Sequence, residues 1–325
     1  MSPGRELVRS LQDEATDWAD AFVRRQAASP EQEALLLHAI HIQRVDSGGP
    51  SRALIQLPLL VHGCITGNMR PAIPIAAAGH FLDRSIAILD AFMDGDPMPE
   101  WTERGPGEAL LAATTVLGAF PQIAIAELER PGAEVLKLQR TLAVGGLRVS
   151  QGQQLDLSLR GNESPNPDDA LAAARGKTGE MMATLAELAA RLACDDGPKI
   201  TAYAAIGRDW GTAWQIDSDL RDLLASEPSR DLINGTRTLP ISVHIADAHQ
   251  SDEARLPRAT TPEQRRNDDA WRRAIAYCIS VITEYCDEAR STLQRQSPLQ
   301  PAAGELAELV AGLIPWPDMR GDQQS

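Results

Sequence analysis

Two acidic pairs, far apart in the chain, each stand at one-turn helical spacing. The first is Asp90 and Asp94 in LDRSIAILDAFMDGD. The second is Asp219 and Asp222 in WQIDSDLRDL, with Ser218 one turn before Asp222. Residues three or four apart on a helix share a face, so each pair presents its oxygens in one direction. Facing one another, two such helices form an oxygen-rich cage suited to Mg2+ and, through it, to a diphosphate. The competing reading is two solvated helix faces, the ordinary place for acidic side chains in a chain that has 45 of them. The surroundings favour the cage. Asp90 is set among Ile86, Ala87, Ile88, Leu89, Ala91, Phe92 and Met93, and Asp219 follows Ala213, Trp214, Gln215 and Ile216. A carboxylate buried in such a stretch without a partner is costly, so a cation or a cavity is implied.

The elements that must position these acids are helices. EQEALLLHAIHIQRV, RSIAILDAFM, PGEALLAATTVLGAFPQIAIAELER, AEVLKLQRTLA, TGEMMATLAELAARLA and DAWRRAIAYCISVITEYCDEARSTLQ repeat apolar residues every three to four positions, and strand-like alternation is nearly absent. Turn residues cluster at 47–51, 95–107, 161–169, 194–199 and 224–240. The charged stretch 249–269 reads as a loop with a short helix. The pattern predicts an all-α fold, a single-domain bundle of about ten helices. It spans 1–325, with a helical N-terminal region over 1–30 and a frayed tail over 317–325.

With 325 residues, 43% of them hydrophobic, the chain can build one large core, and no Pro-, Gly- or Ser-rich linker divides it. A net charge of −14 argues against nucleic acid or an anionic membrane surface as partner. The N-terminal segment lacks the apolar core of a signal peptide. No stretch approaches the ~20 apolar residues of a membrane span, so a soluble, cytoplasmic protein is expected. Cys64, Cys194, Cys278 and Cys286 are scattered without metal-ligand spacing and read as reduced core thiols. His38 and His41, at i,i+3, read as core or helix-surface histidines rather than a ligand pair.

Taken together, the motifs between about residue 60 and residue 240 resemble those of the trans-isoprenyl diphosphate synthase (polyprenyl synthetase) family. GNMRP is similar to the family's GGKRLRP segment, ILDAFMD to the first DDxxD motif, and ERG to the RRG that follows it. GQQLD matches GQxxD, GKTGEM the KT motif, WGTAWQIDSDLRD the second aspartate motif, and DLINGTRTLP the segment after it.

The resemblance implies an isoprenoid-synthase fold, Mg2+ (three ions with bound diphosphate), an allylic prenyl diphosphate as substrate and a homodimer. It assigns metal to Asp90, Asp94, Ser218, Asp219 and Asp222, with Lys177 a cationic contact to the diphosphate. Arg70, Arg104, Gln153, Asp156, Thr178 and Gln215 are assigned to the substrate. Trp210 and Trp214, at i,i+4 before Ser218, either stabilise a carbocation or pack the core. Ser85 and Ile86 hold positions that limit chain length in the family, and the absence of large aromatics there suggests C15 or longer.

The pattern also departs from the family. Ala91 and Ser218 replace motif aspartates. Gly67 and Asn68 stand where the GGKRLRP lysine and arginine are expected, Asp83 where His or Gln is usual, and Glu103 where RRG has its first arginine. The resemblance puts Glu103 at the arginine that serves the allylic diphosphate and Asp83 in the isopentenyl diphosphate pocket, where carboxylates of the wrong sign oppose a polyanion. Cyclisation or elimination of the ionised substrate then becomes the leading expectation. The alternatives are prenyl transfer, to isopentenyl diphosphate or to another acceptor, and a non-catalytic subunit of a heteromeric synthase.

Overall fold

The computed structural model describes residues 3–42, 52–96, 98–224, 229–250 and 261–313, without the side chains of 248–250. The expected tail over 317–325, the turn at 47–51, and parts of the turn at 224–240 and of the loop in 249–269 lie outside these residues.

Helices account for the regular structure among the described residues. In order they are α1 (Pro3–Gln26), α2 (Pro30–His41), α3 (Ala53–Thr66), α4 (Ile73–Asp94), α5 (Pro106–Ala126), α6 (Gly132–Leu159) and α7 (Pro167–Ala174). Then follow α8 (Glu180–Ala193), α9 (Gly197–Leu224), α10 (Arg230–Asn234), α11 (Leu239–Gln250), α12 (Pro262–Asn267), α13 (Asp269–Arg295) and α14 (Ala302–Ala311). The count exceeds ten because short helices, α7 and α10 among them, sit where turn residues had suggested breaks, while α12 is the short helix expected within 249–269. Their ends carry recognisable signals: Asn166 and Ser229 cap α7 and α10, and Thr261 with Gln264 forms a capping box on α12.

Two clusters make the core. The larger joins α3, α8, α9 and α13 around Leu57, Leu60, Met182, Ile206, Trp210 and Ile275. The smaller joins α1, α2, α4 and α5, where Phe22, Phe81 and Phe120 meet with ring centroids 5.2–5.5 Å apart, the spacing of favourable edge and tilted aromatic pairs. The four cysteines are free, three of them buried, as expected of core thiols. His38 Nε2 donates to the Glu100 carbonyl and His41 pairs with Asp20, so the two side chains serve different surface contacts.

One expectation is corrected. The segment Arg70–Asp94, which contains α4, and helix α5 are long and apolar enough, by length and composition, to cross a membrane. The bundle explains α4, which is mostly buried inside it. Helix α5 is less than half buried, and Leu110 and Leu111 stand exposed on it.

Candidate functional site

Helix α4 ends at Asp94 because Gly95 takes a left-handed conformation (φ 70°) and closes the last carbonyls. Its final turns therefore bring Asp83, Ile86, Asp90 and Asp94 down one face into a cavity of about 590 Å³. Helix α9 supplies the opposite wall with Trp214, Gln215, Ser218, Asp219 and Asp222. Both acidic pairs thus line the same cavity, as the spacing predicts.

A third wall depends on a local departure from α-helix. Between α7 and α8, Arg175–Gly179 forms a π-helical turn, the form in which such insertions interrupt α-helices at functional sites. It carries Lys177 and Thr178 into the cavity. Helix α6 approaches this turn so closely that a Cβ on Gly152 would lie 2.1 Å from the Gly176 carbonyl carbon and 2.2 Å from the Lys177 nitrogen. Only glycine fits there. The contact sets Gln153 and Asp156, one and four residues further on, beside Lys177.

The polar groups form a connected set. Lys177 Nζ donates to Asp90 Oδ1 at 3.1 Å and lies 3.5 Å from Asp156 Oδ2. Gln153 Nε2 donates to the same Asp90 oxygen at 3.3 Å. Thr178 donates to Gln215 Oε1, and Gln215 Nε2 donates to Asp219 Oδ1 at 2.8 Å. Arg160 donates to Asp94. Asp222 accepts from the Ser229 hydroxyl and from the backbone nitrogens of Arg230 (3.2 Å) and Asp231 (3.3 Å), at the start of α10. At the cavity mouth Asp96 accepts from Arg230 and Asn234, both at 3.2 Å.

Acids outnumber cations here, and the electrostatics follow. Burial pushes the Asp219 carboxyl up to about 7, with Asp156 and Asp222 adding like-charge repulsion. Asp231 is held well above the usual carboxylate range by burial and then by Asp219, Asp222 and Asp156. Burial raises Asp94 as well, with Asp90 second. Burial alone would lower Lys177, but Asp90 and Asp156 outweigh it and hold its ammonium above the ordinary lysine value.

Such a donor set, hard carboxylate oxygens and a hydroxyl facing one cavity with surplus negative charge, fits Mg2+. No three His, Cys, Asp or Glu among the described residues are placed to hold a metal ion together. The closed cage expected from spacing is therefore open in this structure: each carboxylate is turned to a protein partner instead.

Three assigned residues lie elsewhere. Arg70 is exposed and pairs with Glu14 in the turn before α4. Seventeen residues separate Ile73 from Asp90, so at 1.5 Å per residue the turn is roughly 25 Å from the acids. Gly67 and Asn68 share that remote end, so the GNMRP resemblance does not place them or Arg70 at the cavity. Arg104 is exposed and pairs with Glu108, outside the cavity lining. Trp210 is fully buried and stacks on Trp214 at 6.1 Å between centroids. It backs the wall, and Trp214 alone of the two faces the cavity.

The residues not assigned from sequence are Asp231, Asp96, Arg230 and Arg160. Asp231 stood within the recognised DLINGTRTLP segment, which was the available signal. The others stand at or just beyond helix ends whose approach to the acids is tertiary.

Residues 66–278 match the Polyprenyl synthetase family. Over 209 residues the chain is 27% identical to the geranylgeranyl diphosphate synthase of Methanosarcina mazei, covering 60% of this chain and 63% of that one, a little under two thirds of its length. It is 24% identical over 296 residues to the geranylgeranyl pyrophosphate synthase of Geoglobus acetivorans, covering 86% and 91%. A (2E,6E)-farnesyl diphosphate synthase of Mycobacterium bovis is 27% identical, over 54% of this chain and 51% of that one. In fold, the chain superposes on a geranylgeranyl pyrophosphate synthetase structure from Geoglobus acetivorans with a TM-score of 0.78 at 22% identity, covering 95% and 99%. A decaprenyl diphosphate synthase structure from Rhodobacter capsulatus gives 0.74 at 18%, covering 96% and 98%. With an all-α isoprenyl-synthase fold and a family match over most of its length, this chain belongs to the polyprenyl synthetase family.

Proposed function

We propose that the protein is a Mg2+-dependent prenyltransferase. It ionises an allylic prenyl diphosphate and joins the cation to isopentenyl diphosphate, extending the chain. The observation that carries this reading is the shared cavity, where two aspartate pairs and one partly buried lysine lie against a largely apolar wall of Ile86, Leu89, Val149, Ala173, Met181 and Trp214. The names of the relatives, geranylgeranyl and farnesyl diphosphate synthases, support transfer over cyclisation.

The residues divide the work. Asp90, Asp94, Ser218, Asp219 and Asp222 would hold Mg2+, three ions with the diphosphate on the family's pattern. When bound, the metal polarises the diphosphate and stabilises its departure as a leaving group. Lys177 gives the departing oxygens a fixed cation in a poorly solvated place. Thr178 fixes the Gln215 amide, which in turn orients Asp219. The apolar wall shields the allylic cation from water, and a cavity of 590 Å³ lies within the ~300–1,000 Å³ range of small-molecule sites. That space suits a chain of C15 or longer. A second copy would cover the outward apolar residues Leu110 and Leu111 of α5 and Leu136 and Leu147 of α6, giving a homodimer.

Cyclisation rested on Gly67, Asn68, Asp83 and Glu103 as damaged diphosphate contacts and on Trp210 and Trp214 as cation stabilisers. Gly67 and Asn68 lie at the far end of α4 and Trp210 lies behind the wall, whereas Asp83 and Trp214 line the cavity. A non-catalytic subunit has no use for a partly buried lysine held between two cavity carboxylates.

The test is product analysis of the purified chain with Mg2+ and C10, C15 or C20 allylic diphosphates, each with and without isopentenyl diphosphate. Longer diphosphates formed only with the second substrate are expected. Hydrocarbons or alcohols formed without it, above the uncatalysed background, would restore cyclisation or elimination. Silence in all mixtures would leave the non-catalytic subunit.

A further inference from the structure

Asp94 occupies an awkward place. It is the last residue of α4, where the helix dipole is negative and a carboxylate is disfavoured. Asp90 stands one turn behind it with the same charge. Two cations offset this, Lys177 through space and Arg160, the C-cap residue of α6, by direct contact. Arg160 Nη2 donates to Asp94 Oδ1 and its Nη1 to the Met93 carbonyl at 3.2 Å, so one guanidinium serves both the acid and an end carbonyl of α4. Both side chains are about a quarter exposed, at 28% and 25%.

Arg160 is itself held in place. The next residue, Gly161, donates from its backbone to the Gly235 carbonyl at 2.9 Å, and Arg237 Nε donates to the Asn162 carbonyl at 2.7 Å. The turn that carries Arg160 is therefore fastened to the segment that follows α10.

We propose that Arg160 is a positioning residue for Asp94 and a built-in competitor of free divalent cations at the first aspartate pair. The inference rests on the reading of the cavity as a Mg2+–diphosphate site. A bare Mg2+ must take Asp94 from the guanidinium and sit beside its charge. Magnesium pyrophosphate is net negative, and the same guanidinium attracts it. The pair is thereby biased toward metal that arrives with its diphosphate.

The experiment is titration calorimetry on the full chain, with MgCl2 alone and then with pyrophosphate at saturating Mg2+, for wild type, Arg160→Gln and Arg160→Lys. Arg160→Gln is expected to bind Mg2+ alone about tenfold tighter, the order of effect of one unit charge removed from a partly exposed site. Its affinity for magnesium pyrophosphate should not rise. Arg160→Lys, which keeps the charge, should behave as wild type. A merely structural role would weaken both ligands together and lower the melting temperature. Unchanged or weaker Mg2+ binding by Arg160→Gln, with both ligands still bound by wild type, overturns the inference alone. Failure of wild type to bind either ligand overturns the reading of the cavity and the inference with it.

Discussion

The two acidic helices carry nearly the same motif and treat it in opposite ways. On α4, Asp90 and Asp94 are partly exposed and each faces a side-chain cation, Lys177 and Arg160. On α9, Asp219 is buried with an amide as its partner, and Asp222 is held by a hydroxyl and two backbone nitrogens. Asp222 also lies near Arg265, a buried arginine whose charge it helps sustain. On α4 the protein supplies cations in advance, although burial still raises Asp94. Helix α9 keeps a carboxylate whose ionisation the fold opposes, and a bound cation would relieve that cost.

Removing the cation on the α4 side should have the largest effect. Lys177→Ala leaves Asp90 and Asp156 facing each other without their shared ammonium. Diphosphate release should fall about 10³-fold, the scale of losing one preorganised electrostatic group, and steady-state assays of released diphosphate would read it. Asp90→Ala should be comparably damaging, and unchanged turnover in that variant would end the metal assignment.

On the α9 side the expected sign reverses for stability. Asp219 has a folded value near 7 against an unfolded one near 4. Its contribution to stability is therefore fully present below about pH 4 and lost as pH rises through about 7. Asp219→Asn should raise the metal-free protein's unfolding free energy at pH 8 by about 1–3 kcal/mol, with the gain vanishing toward pH 4, while turnover is lost. Thermal melts across that range would show it. No gain at pH 8 would mean that the two helices are electrostatically alike.

A smaller effect separates metal binding from helix capping. Asp222→Asn weakens the anchorage of α10 by about 1 kcal/mol, and hydrogen exchange at Arg230–Asn234 should speed up accordingly. Smallest of all, Arg70→Ala should leave both KM and kcat within about twofold, since a surface pair such as Arg70–Glu14 contributes ~0–1 kcal/mol. A large loss of activity there would return the GNMRP segment to the site.

The contrast also marks how far the sequence could be read. Helix periodicity located α2, α4, α5, α8 and α13, and spacing placed Asp90, Asp94, Asp219 and Asp222 on faces that do meet. Lys177, Thr178, Gln153, Asp156 and Gln215 were legible because their motifs stay contiguous in space. Arg70 was misplaced because motif order along the chain carries no distance; the length of α4 supplies it. Arg160 was invisible because it reaches Asp94 across 66 positions from a helix end with no motif of its own. Trp210 and Trp214 share a helix stripe, and only packing distinguishes the ring that lines the cavity from the ring behind it.

The π-helical turn at Arg175–Gly179 has a consequence of a different kind. It holds one residue more than an α-helical turn would. Deleting a single residue there would let α7 run into α8 as continuous α-helix, keep the two flanking helices in phase, and remove the local bulge that carries Lys177 and Thr178. Lys177 and Thr178 would swing off the cavity wall, although the hydrogen bonds of the helix itself would improve. The cation opposite Asp90 is thus secured by a reading-frame offset in the helix rather than by any contact strength. Shortening the chain by one position should silence the site in a protein that still folds.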